Sequence, residues 1–376
     1  MKTVRHSARA RVAAVGLTAA GALLLAGCGA ANETAAPAGG GTGTGGSSAP
    51  TVAGTIAGAG ASSQQAAQEA WIAGFTAVNP DANITYDPSG SGAGRTQFLG
   101  GGVAFAGSDA ALKDEELAQA KTRCNGDVVE VPAYVSPIAI IYNLQGVTDL
   151  KLAPATVAQI FDKKITKWND PAIAADNPGA ALPDLAITPV NRSDKSGTTQ
   201  NFADYLKTAA PQAWSYDVSD TWPVQGGEAA QGTSGVVGAV KAGNGAIGYA
   251  DESQARDLGH IQVKVGDSYV GPTPEAAAAV LESSTRIEGQ GDSVFAYELA
   301  RDTTESGTYP VVLVSYLMAC SKYPDTATAD VVKSYLSYVV SADGQKVAAD
   351  TAGAAPLSDS LRNQITPAIG AIAGGS

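Results

Sequence analysis

The chain has 376 residues, with 36 acidic residues against 24 lysines and arginines, 44 glycines and a formal net charge of −12. This length is enough for two domains of ordinary size. The acidic balance provides no basic surface, which argues against nucleic acid as a partner. Any site for an anion must therefore work through local donors rather than through net charge.

The N-terminal 27 residues have the pattern of a targeting segment. Four basic residues and no acid precede an apolar run from Val12 to Ala26, so the remaining chain carries a charge of −16. The sequence Leu25-Ala26-Gly27-Cys28 resembles the lipobox of bacterial lipoproteins, in which the signal is cut before a cysteine that is then lipidated. We therefore predict a lipoprotein signal peptide at 1–27 and lipidation of Cys28. An ordinary signal peptide or a short membrane anchor is the alternative.

Residues 28–50 consist mostly of Ala, Gly, Thr, Ser and Pro, and we predict a flexible tether there. Outside the cytoplasm, Cys124 and Cys320 could form a disulfide bond, or they could be two free buried thiols. A metal site is poorly supported, because these cysteines lie far apart and the only histidines are His6 and His260.

Apolar runs alternate with amphipathic runs through the rest of the chain, which predicts an α/β fold with mostly parallel sheets. The predicted strands lie at 51–57, 84–86, 103–106, 128–135, 138–142, 185–190, 245–249 and 309–318. Ser136-Pro137 is predicted to separate the fourth strand from the fifth. Predicted helices lie near 67–78, 97–99, 113–121, 156–161, 202–206, 233–241, 273–281 and 330–340, and 214–227 is predicted to be irregular.

Four strand-to-helix junctions carry residues suited to holding an oxyanion. They contain Ser62 and Ser63 after a Gly-Ala-Gly turn, Ser91 in a Ser/Gly-rich loop, Asp109, and the stretch Asn191–Thr199. Helix starts offer unpaired N–H groups and the positive end of the helix dipole, and an arginine adds a planar fork of donors. For Asn191–Thr199 the simpler interpretation is an N-capped helix with a solvated loop. No Gly-Lys-Ser/Thr follows the first turn, so it is not a P-loop.

Together these junctions resemble the PstS family of phosphate-binding proteins, which serve bacterial high-affinity phosphate import. The matching motifs are Gly-Ala-Gly-Ala-Ser, Gly-Ser-Gly-Ala-Gly, Gly-Ser-Asp-Ala and Arg-Ser-Asp-x-Ser-Gly-Thr, with further landmarks at 165–171, 245–249 and Tyr309-Pro310. The resemblance covers about 51–357. It implies a type II periplasmic-binding-protein fold, in which two α/β lobes, each a mixed, mostly parallel sheet flanked by helices, close on the ligand at a hinge. Lobe one would be 51–134 plus 308–376, and lobe two 135–307, which places both cysteines in lobe one.

The resemblance also implies a role for each residue of the site. Arg192 would make a charged bidentate contact with phosphate, and Asp109 would accept the proton that phosphate keeps near neutral pH. Asp194 would pair with Arg192, unless it is a solvated loop acid. The remaining contacts would be hydroxyl groups or amides, from Ser62, Ser63 (by its amide, where the family often has an aromatic residue), Ser91, Ser196, Gly197 and Thr198. Whether Arg95 reaches the site is left open.

The function implied is that of a lipid-anchored, extracytoplasmic binding protein that delivers phosphate to the permease of an ABC transporter, as a monomer without cofactor or metal. A binding protein of the same fold for sulfate or molybdate is one alternative, although Asp109 argues against fully deprotonated anions. A serine-dependent phosphatase is another, but the only histidine after the signal, His260, lies outside every motif, and no Gly-x-Ser-x-Gly elbow surrounds Ser91. A structural or adhesive surface protein is a third.

Overall fold

In a computed structural model of the chain, the structure describes residues 51–375, which belong to one compact unit. The predictions of a signal peptide at 1–27, of lipidation at Cys28 and of a tether at 28–50 fall outside the described residues. Within 51–375, no helix has both the length and the apolar character needed to cross a membrane.

Helices and strands alternate along most of the described chain. The helices are α1 (Gln65–Val78), α2 (Ser91–Leu99), α3 (Asp114–Cys124), α4 (Pro154–Phe161), α5 (Pro171–Asp176), α6 (Gly197–Ala209), α7 (Gly232–Ala242), α8 (Pro274–Glu282), α9 (Thr326–Val340), α10 (Ala342–Ala352) and α11 (Asp359–Gly370), with a short 3₁₀ helix at Glu252–Gln254. The strands are β1 (Gly54–Gly60), β2 (Ala82–Asp87), β3 (Phe105–Ser108), β4 (Val128–Asn143), β5 (Lys151–Leu152), β6 (Thr188–Arg192), β7 (Glu228–Ala230), β8 (Ala246–Asp251), β9 (Gly259–His260), β10 (Gln262–Val265), β11 (Ser268–Val270), β12 (Thr285–Arg286), β13 (Tyr297–Glu298), β14 (Val312–Cys320), β15 (Lys322–Tyr323) and β16 (Ala373–Gly374).

One mixed sheet organises the fold, with the strand order β2-β1-β3-β14-β4-β8-β6-β7 and with β9 also paired to β4. Pairs at the two ends of the sheet are parallel, namely β1 with β2 and β3, and β6 with β7 and β8. Pairs at its centre are antiparallel, because β14 runs against β3 and β4, and β4 runs against β8. The α/β prediction is confirmed, and the antiparallel centre makes the sheet mixed.

The predicted break at Ser136-Pro137 is wrong, because β4 is one continuous strand of 16 residues. Its pairing partner changes at this point: Pro137 is paired with Val312 of β14, whereas Ile138 is paired with Asp251 of β8. Proline lacks an N–H for a ladder of hydrogen bonds, and a change of partner is a place where the strand tolerates that lack. The two parts of the sheet therefore share β4. The boundaries of the two lobes stay a prediction.

The predicted turn at the Gly-Ala-Gly segment is also wrong, because this segment forms the end of β1. Gly58 pairs with Phe105 and Gly60 pairs with Gly107 of β3. A Cβ on Gly60 would lie 1.9 Å from the carbonyl oxygen of Gly107, and Gly60 has a φ of +145°. Only glycine fits such an approach, so the glycines let β1 and β3 bring Ser62 and Asp109 to the same edge of the sheet.

Helices cover the sheet and bury most of its apolar side chains. Trp71, Phe75 and Tyr335 are almost fully buried in the main core, where α1 and α9 pack against each other and against the β1 end of the sheet. A smaller core lies under α7, where Val236 and Val240 pack near β6 and β8. The structure has a disulfide bond between Cys124 and Cys320, which joins the end of α3 to the end of β14.

Candidate functional site

Each predicted site residue lies where a strand ends or a helix begins. Ser62 and Ser63 lie between β1 and α1, and Asp109 directly follows β3. Ser196 caps α6, because its Oγ accepts a hydrogen bond of 3.1 Å from the amide of Thr199. All eight predicted phosphate ligands are buried, namely Ser62, Ser63, Ser91, Asp109, Arg192, Ser196, Gly197 and Thr198.

Asp109 is the centre of this cluster and is only 3% exposed. Its Oδ1 accepts hydrogen bonds of 2.6 Å from the hydroxyls of both Ser63 and Ser315. Its Oδ2 accepts a hydrogen bond of 2.8 Å from the hydroxyl of Thr198. Three hydroxyl groups from three different segments therefore converge on one buried carboxylate.

The backbone of Asp109 is held as firmly as its side chain. Its amide donates to Oγ of Ser91 at 3.1 Å, and its carbonyl accepts from the side-chain amide of Asn201 at 2.6 Å. A Cβ placed on Gly197 would lie 2.7 Å from Cβ of Asp109 and 2.8 Å from Oγ of Ser91. The start of α6 is therefore in direct contact with the start of α2 and with the loop after β3.

Ser62 faces a different helix start. Its Oγ accepts a hydrogen bond of 3.1 Å from the amide of Thr233 and lies 3.0 Å from the hydroxyl of the same residue. Its carbonyl accepts a hydrogen bond of 2.8 Å from Nε2 of Gln254. Thr233 belongs to the first turn of α7, so the site also includes the N-terminus of α7, which was not among the predicted junctions.

Arg192 and Asp194 form a two-point ion pair, which decides between the two alternatives for Asp194. Nε of Arg192 donates to Oδ1 of Asp194 at 2.8 Å, and Nη2 donates to Oδ2. Oδ1 also accepts from the amide of Gly232 at 3.0 Å. Partial burial alone would raise the pKa of Asp194, but its hydrogen bond and charge pairing with Arg192, together with the Gly232 amide, hold that pKa below its usual value.

The ion pair touches the other loops of the site. A Cβ on Gly90, the residue before Ser91, would lie 2.5 Å from Oδ2 of Asp194. Gly232, which donates to Asp194, precedes Thr233, which contacts Ser62. Contacts thus run without interruption from Arg192 to the Ser62 loop and to the Ser91 loop.

Arg95 is committed to protein partners beside the site. It donates to Glu116 at 3.0 Å, to Oγ of Ser108 at 3.0 Å and to Asp220 at 2.9 Å. The backbone carbonyl of Asp220 in turn accepts from the amide of Ser196 at 2.8 Å. Arg95 therefore braces the residues next to Asp109 and Ser196.

Four residues that contact the site were not predicted from the sequence, namely Ser315, Thr233, Asn201 and Gln254. Ser315 had a usable signal, because it is a serine inside the apolar and aromatic run of β14. Asn201 lies one turn into α6, where its amide also donates to the carbonyl of Gly197. In 51–375 there is no cluster of three or more His, Cys, Asp or Glu side chains that could hold a metal ion.

Comparisons with known proteins give a consistent result. A family model described as a PBP superfamily domain matches residues 45–343. Phosphate-binding protein PstS 3 of Mycobacterium tuberculosis is 36% identical over 369 residues, which covers 96% of this chain and 98% of the relative. Phosphate-binding protein PstS 3 of Mycobacterium leprae is 37% identical over 375 residues, with the same coverage of both chains.

Solved structures are similar in fold. One is a high-affinity periplasmic phosphate-binding protein bound with phosphate, with a TM-score of 0.68 and 21% identity over 84% of this chain and 93% of that chain. Another is a phosphate-binding protein from Stenotrophomonas maltophilia, with a TM-score of 0.66 and 20% identity over the same shares. At these identities the likeness establishes the fold.

Proposed function

This chain belongs to the PstS family of phosphate-binding proteins within the PBP superfamily, and from that premise we propose that it captures inorganic phosphate and delivers it to the permease of an ABC transporter. The observation that carries the proposal is the buried Asp109 carboxylate, which lies among hydroxyl donors and helix starts. A site that holds an anion by neutral dipoles and one arginine suits a protein of net charge −12.

We assign the positive charge of the site to Arg192. Its Nε and Nη2 are used by Asp194, and its Nη1 N–H groups are not needed for that pair and can donate to an anion. The hydroxyls of Ser62, Ser91, Ser196 and Thr198 and the amides of Ser63 and Gly197 complete the proposed set of donors. Thr198 has a single hydroxyl proton, so it can donate either to Asp109 or to an oxygen of the anion at any one time.

Asp109 gives the site its selectivity. Phosphate near neutral pH keeps at least one proton, which it can donate to the carboxylate. Sulfate has no proton, so one of its oxygens would face Asp109 unpaired and repelled. A buried polar mismatch of this kind costs several kcal/mol, which corresponds to roughly three decades in affinity.

The two-lobe arrangement, with 51–134 and 308–376 in lobe one and 135–307 in lobe two, is part of the proposal. Two observations support it. β4 changes its partner from β14 to β8 at the predicted crossover. The proposed ligands also come from both sides, with Ser62, Ser63, Ser91 and Asp109 on one and the Asn191–Thr199 stretch on the other. Phosphate would bind between them.

We further propose that the protein is a monomer anchored at the extracytoplasmic face of the cell membrane by a lipid on Cys28. Intact-mass analysis of protein extracted from membranes would test the anchor. The expected result is cleavage before Cys28 with added acyl mass, and a Cys28→Ser variant without that mass. Unmodified Cys28 in the wild type would contradict the anchor without affecting the binding function.

Equilibrium dialysis with labelled phosphate tests the binding function. The protein should retain phosphate at neutral pH, and neither a large excess of sulfate nor a phosphate monoester should displace it. Displacement by sulfate or molybdate at comparable concentrations would favour a binding protein for another oxyanion. Release of inorganic phosphate from the ester, with added divalent metal, would favour a hydrolase instead.

A further inference from the structure

Ser315 is a buried serine on β14, a strand with no predicted role in binding. Its hydroxyl contacts the carboxylate of Asp109. Ser315 is 0% exposed, and its Oγ lies 2.6 Å from Oδ1 of Asp109 and 2.6 Å from Nε2 of Gln64. The amide of Gln64 can only donate to this oxygen through Nε2, so the single proton of Ser315 is left to point at Asp109.

Gln64 is itself fixed by a chain of buried hydrogen bonds. Its Nε2 also donates to the carbonyl of Tyr316 at 3.2 Å, and its Oε1 accepts from Nε2 of Gln68 at 2.8 Å. Oε1 of Gln68 accepts from the hydroxyl of Tyr335 at 2.7 Å. An ionised carboxylate only accepts, so Asp109 sets the direction of every hydrogen bond back to Tyr335.

The backbone near Ser315 departs from a regular strand. The register of β14 against β4 shifts between Ser315, which pairs with Tyr134, and Tyr316, which pairs with Pro132. Such bulges re-aim a side chain and occur often beside functional sites. Here the irregularity accompanies the one polar contact that β14 makes with Asp109.

The two carboxylate oxygens of Asp109 differ in the number of hydrogen bonds that they accept. Ser63 and Ser315 both donate to Oδ1, which occupies its two lone pairs. Within 51–375, Oδ2 accepts a hydrogen bond from Thr198 alone, so it keeps acceptor capacity. On the premise of the proposed function, we propose that Ser315, oriented by Gln64, is a positioning residue that turns Oδ2 of Asp109 toward the proton of phosphate and so sets phosphate selectivity.

The test is the ratio of the sulfate Kd to the phosphate Kd, measured by calorimetry. Ser315→Ala should lower this ratio about tenfold or more, because one donor to a charged group is lost. Ser315→Thr, which keeps the hydroxyl, should stay within about threefold of the wild type. Gln64→Met, which keeps the chain length without a donor, should shift the ratio in the same direction as Ser315→Ala.

A matched control and a double substitution separate positioning from a general loss of packing. Ser136→Ala removes another fully buried hydroxyl from the neighbouring strand β4 and should leave the ratio unchanged. In an Asp109→Asn background, Ser315→Ala should lower the ratio no further, because Ser315 acts through Asp109.

The outcomes distinguish the two proposals. An unchanged ratio in Ser315→Ala, an equal fall in Ser136→Ala, or an additive fall in the Asp109→Asn background would each overturn the positioning role while phosphate binding stands. A wild-type protein that does not bind phosphate would overturn the proposed function, and the positioning role with it.

Discussion

The hydroxyl of Thr198 donates a hydrogen bond of 2.8 Å to Oδ2 of Asp109, although the two residues lie 89 positions apart in the chain. This contact joins the first turn of α6 to the loop after β3. Both residues are almost fully buried, so the bond is shielded from solvent. It connects the Asn191–Thr199 stretch, which contains Arg192, to the carboxylate of Asp109, which is proposed to recognise the proton of phosphate.

Replacing Thr198 with valine tests the importance of this hydroxyl. Thr198→Val keeps the shape of the side chain but removes a donor to charged groups, and phosphate affinity should fall about tenfold to a hundredfold in calorimetry. The control is Thr156→Val, because the buried hydroxyl of Thr156 donates to Asp176 at 3.2 Å, away from the proposed ligands. Equal losses in both variants would mean that Thr198 has no special role.

Replacing Gly197 tests the close approach of α6 to Asp109. In Gly197→Ala the new Cβ would lie 2.7 Å from Cβ of Asp109, which forces the two segments apart. We expect phosphate affinity to fall at least about tenfold, since the donors of α6 move away from the anion. Gly238→Ala on α7 is the control, because its Cβ would meet no atom within 4 Å, and it should bind as the wild type does. Wild-type affinity in Gly197→Ala would argue against a closed contact in the binding state.

Replacing Arg192 with lysine tests the planar fork. Lysine keeps the positive charge but cannot pair with Asp194 at two points and also donate to an anion, so phosphate affinity should fall about tenfold to a hundredfold. Arg256→Lys is the control, because Arg256 is half-exposed and its Nε lies 3.6 Å from Oε2 of Glu252. If the lysine variant binds phosphate as tightly as the wild type, Arg192 contributes to binding only through its charge.

Glu130 is expected to make stability depend on pH. Burial raises its pKa from 4.5 to about 7, although the amide of Leu112 and the charge of Arg95 lower it, and its Oε2 has no hydrogen-bond partner within 51–375. The folded state binds this proton more tightly than the unfolded state. The stabilisation is therefore complete below about pH 4.5 and is lost as the pH rises through 7, by about 3 kcal/mol at most.

Urea unfolding of Glu130→Gln at pH 5 and pH 8 checks this expectation. The variant should lose less unfolding free energy than the wild type between these two pH values, because glutamine does not titrate. Glu115→Gln, an exposed glutamate on α3, should keep the wild-type pH dependence. The same pH dependence in all three proteins would exclude Glu130 as its source.

Much of the architecture could be predicted from local patterns. The apolar runs located β2, β3, β6 and β8 to within a few residues, and the hydroxyl and glycine residues at their ends marked the loops of the site. Local patterns failed where a distant partner decides the conformation. Gly58 and Gly60 are part of a strand because β3 lies against them, and Pro137 interrupts no strand because β4 changes its neighbour there.

The site residues that were not predicted from the sequence were missed for one physical reason. Ser315 contacts Asp109 because the sheet order places β14 beside β3, which ends directly before Asp109. Thr233 contacts the site because the start of α7 meets Ser62, between β1 and α1. No spacing in the sequence records that arrangement. Ser315 was detectable as a lone serine in an apolar strand, but its partner Asp109 lies 206 positions away.

The ratio of the sulfate Kd to the phosphate Kd, measured by calorimetry on the wild type and on Asp109→Asn in one buffer, tests the central claim most directly. The wild-type ratio should be about a thousand or more, and Asp109→Asn should lower it at least about tenfold, because the charge that repels sulfate is gone. A wild-type ratio near one, or the same ratio in both proteins, would contradict the claim that Asp109 selects phosphate by its proton.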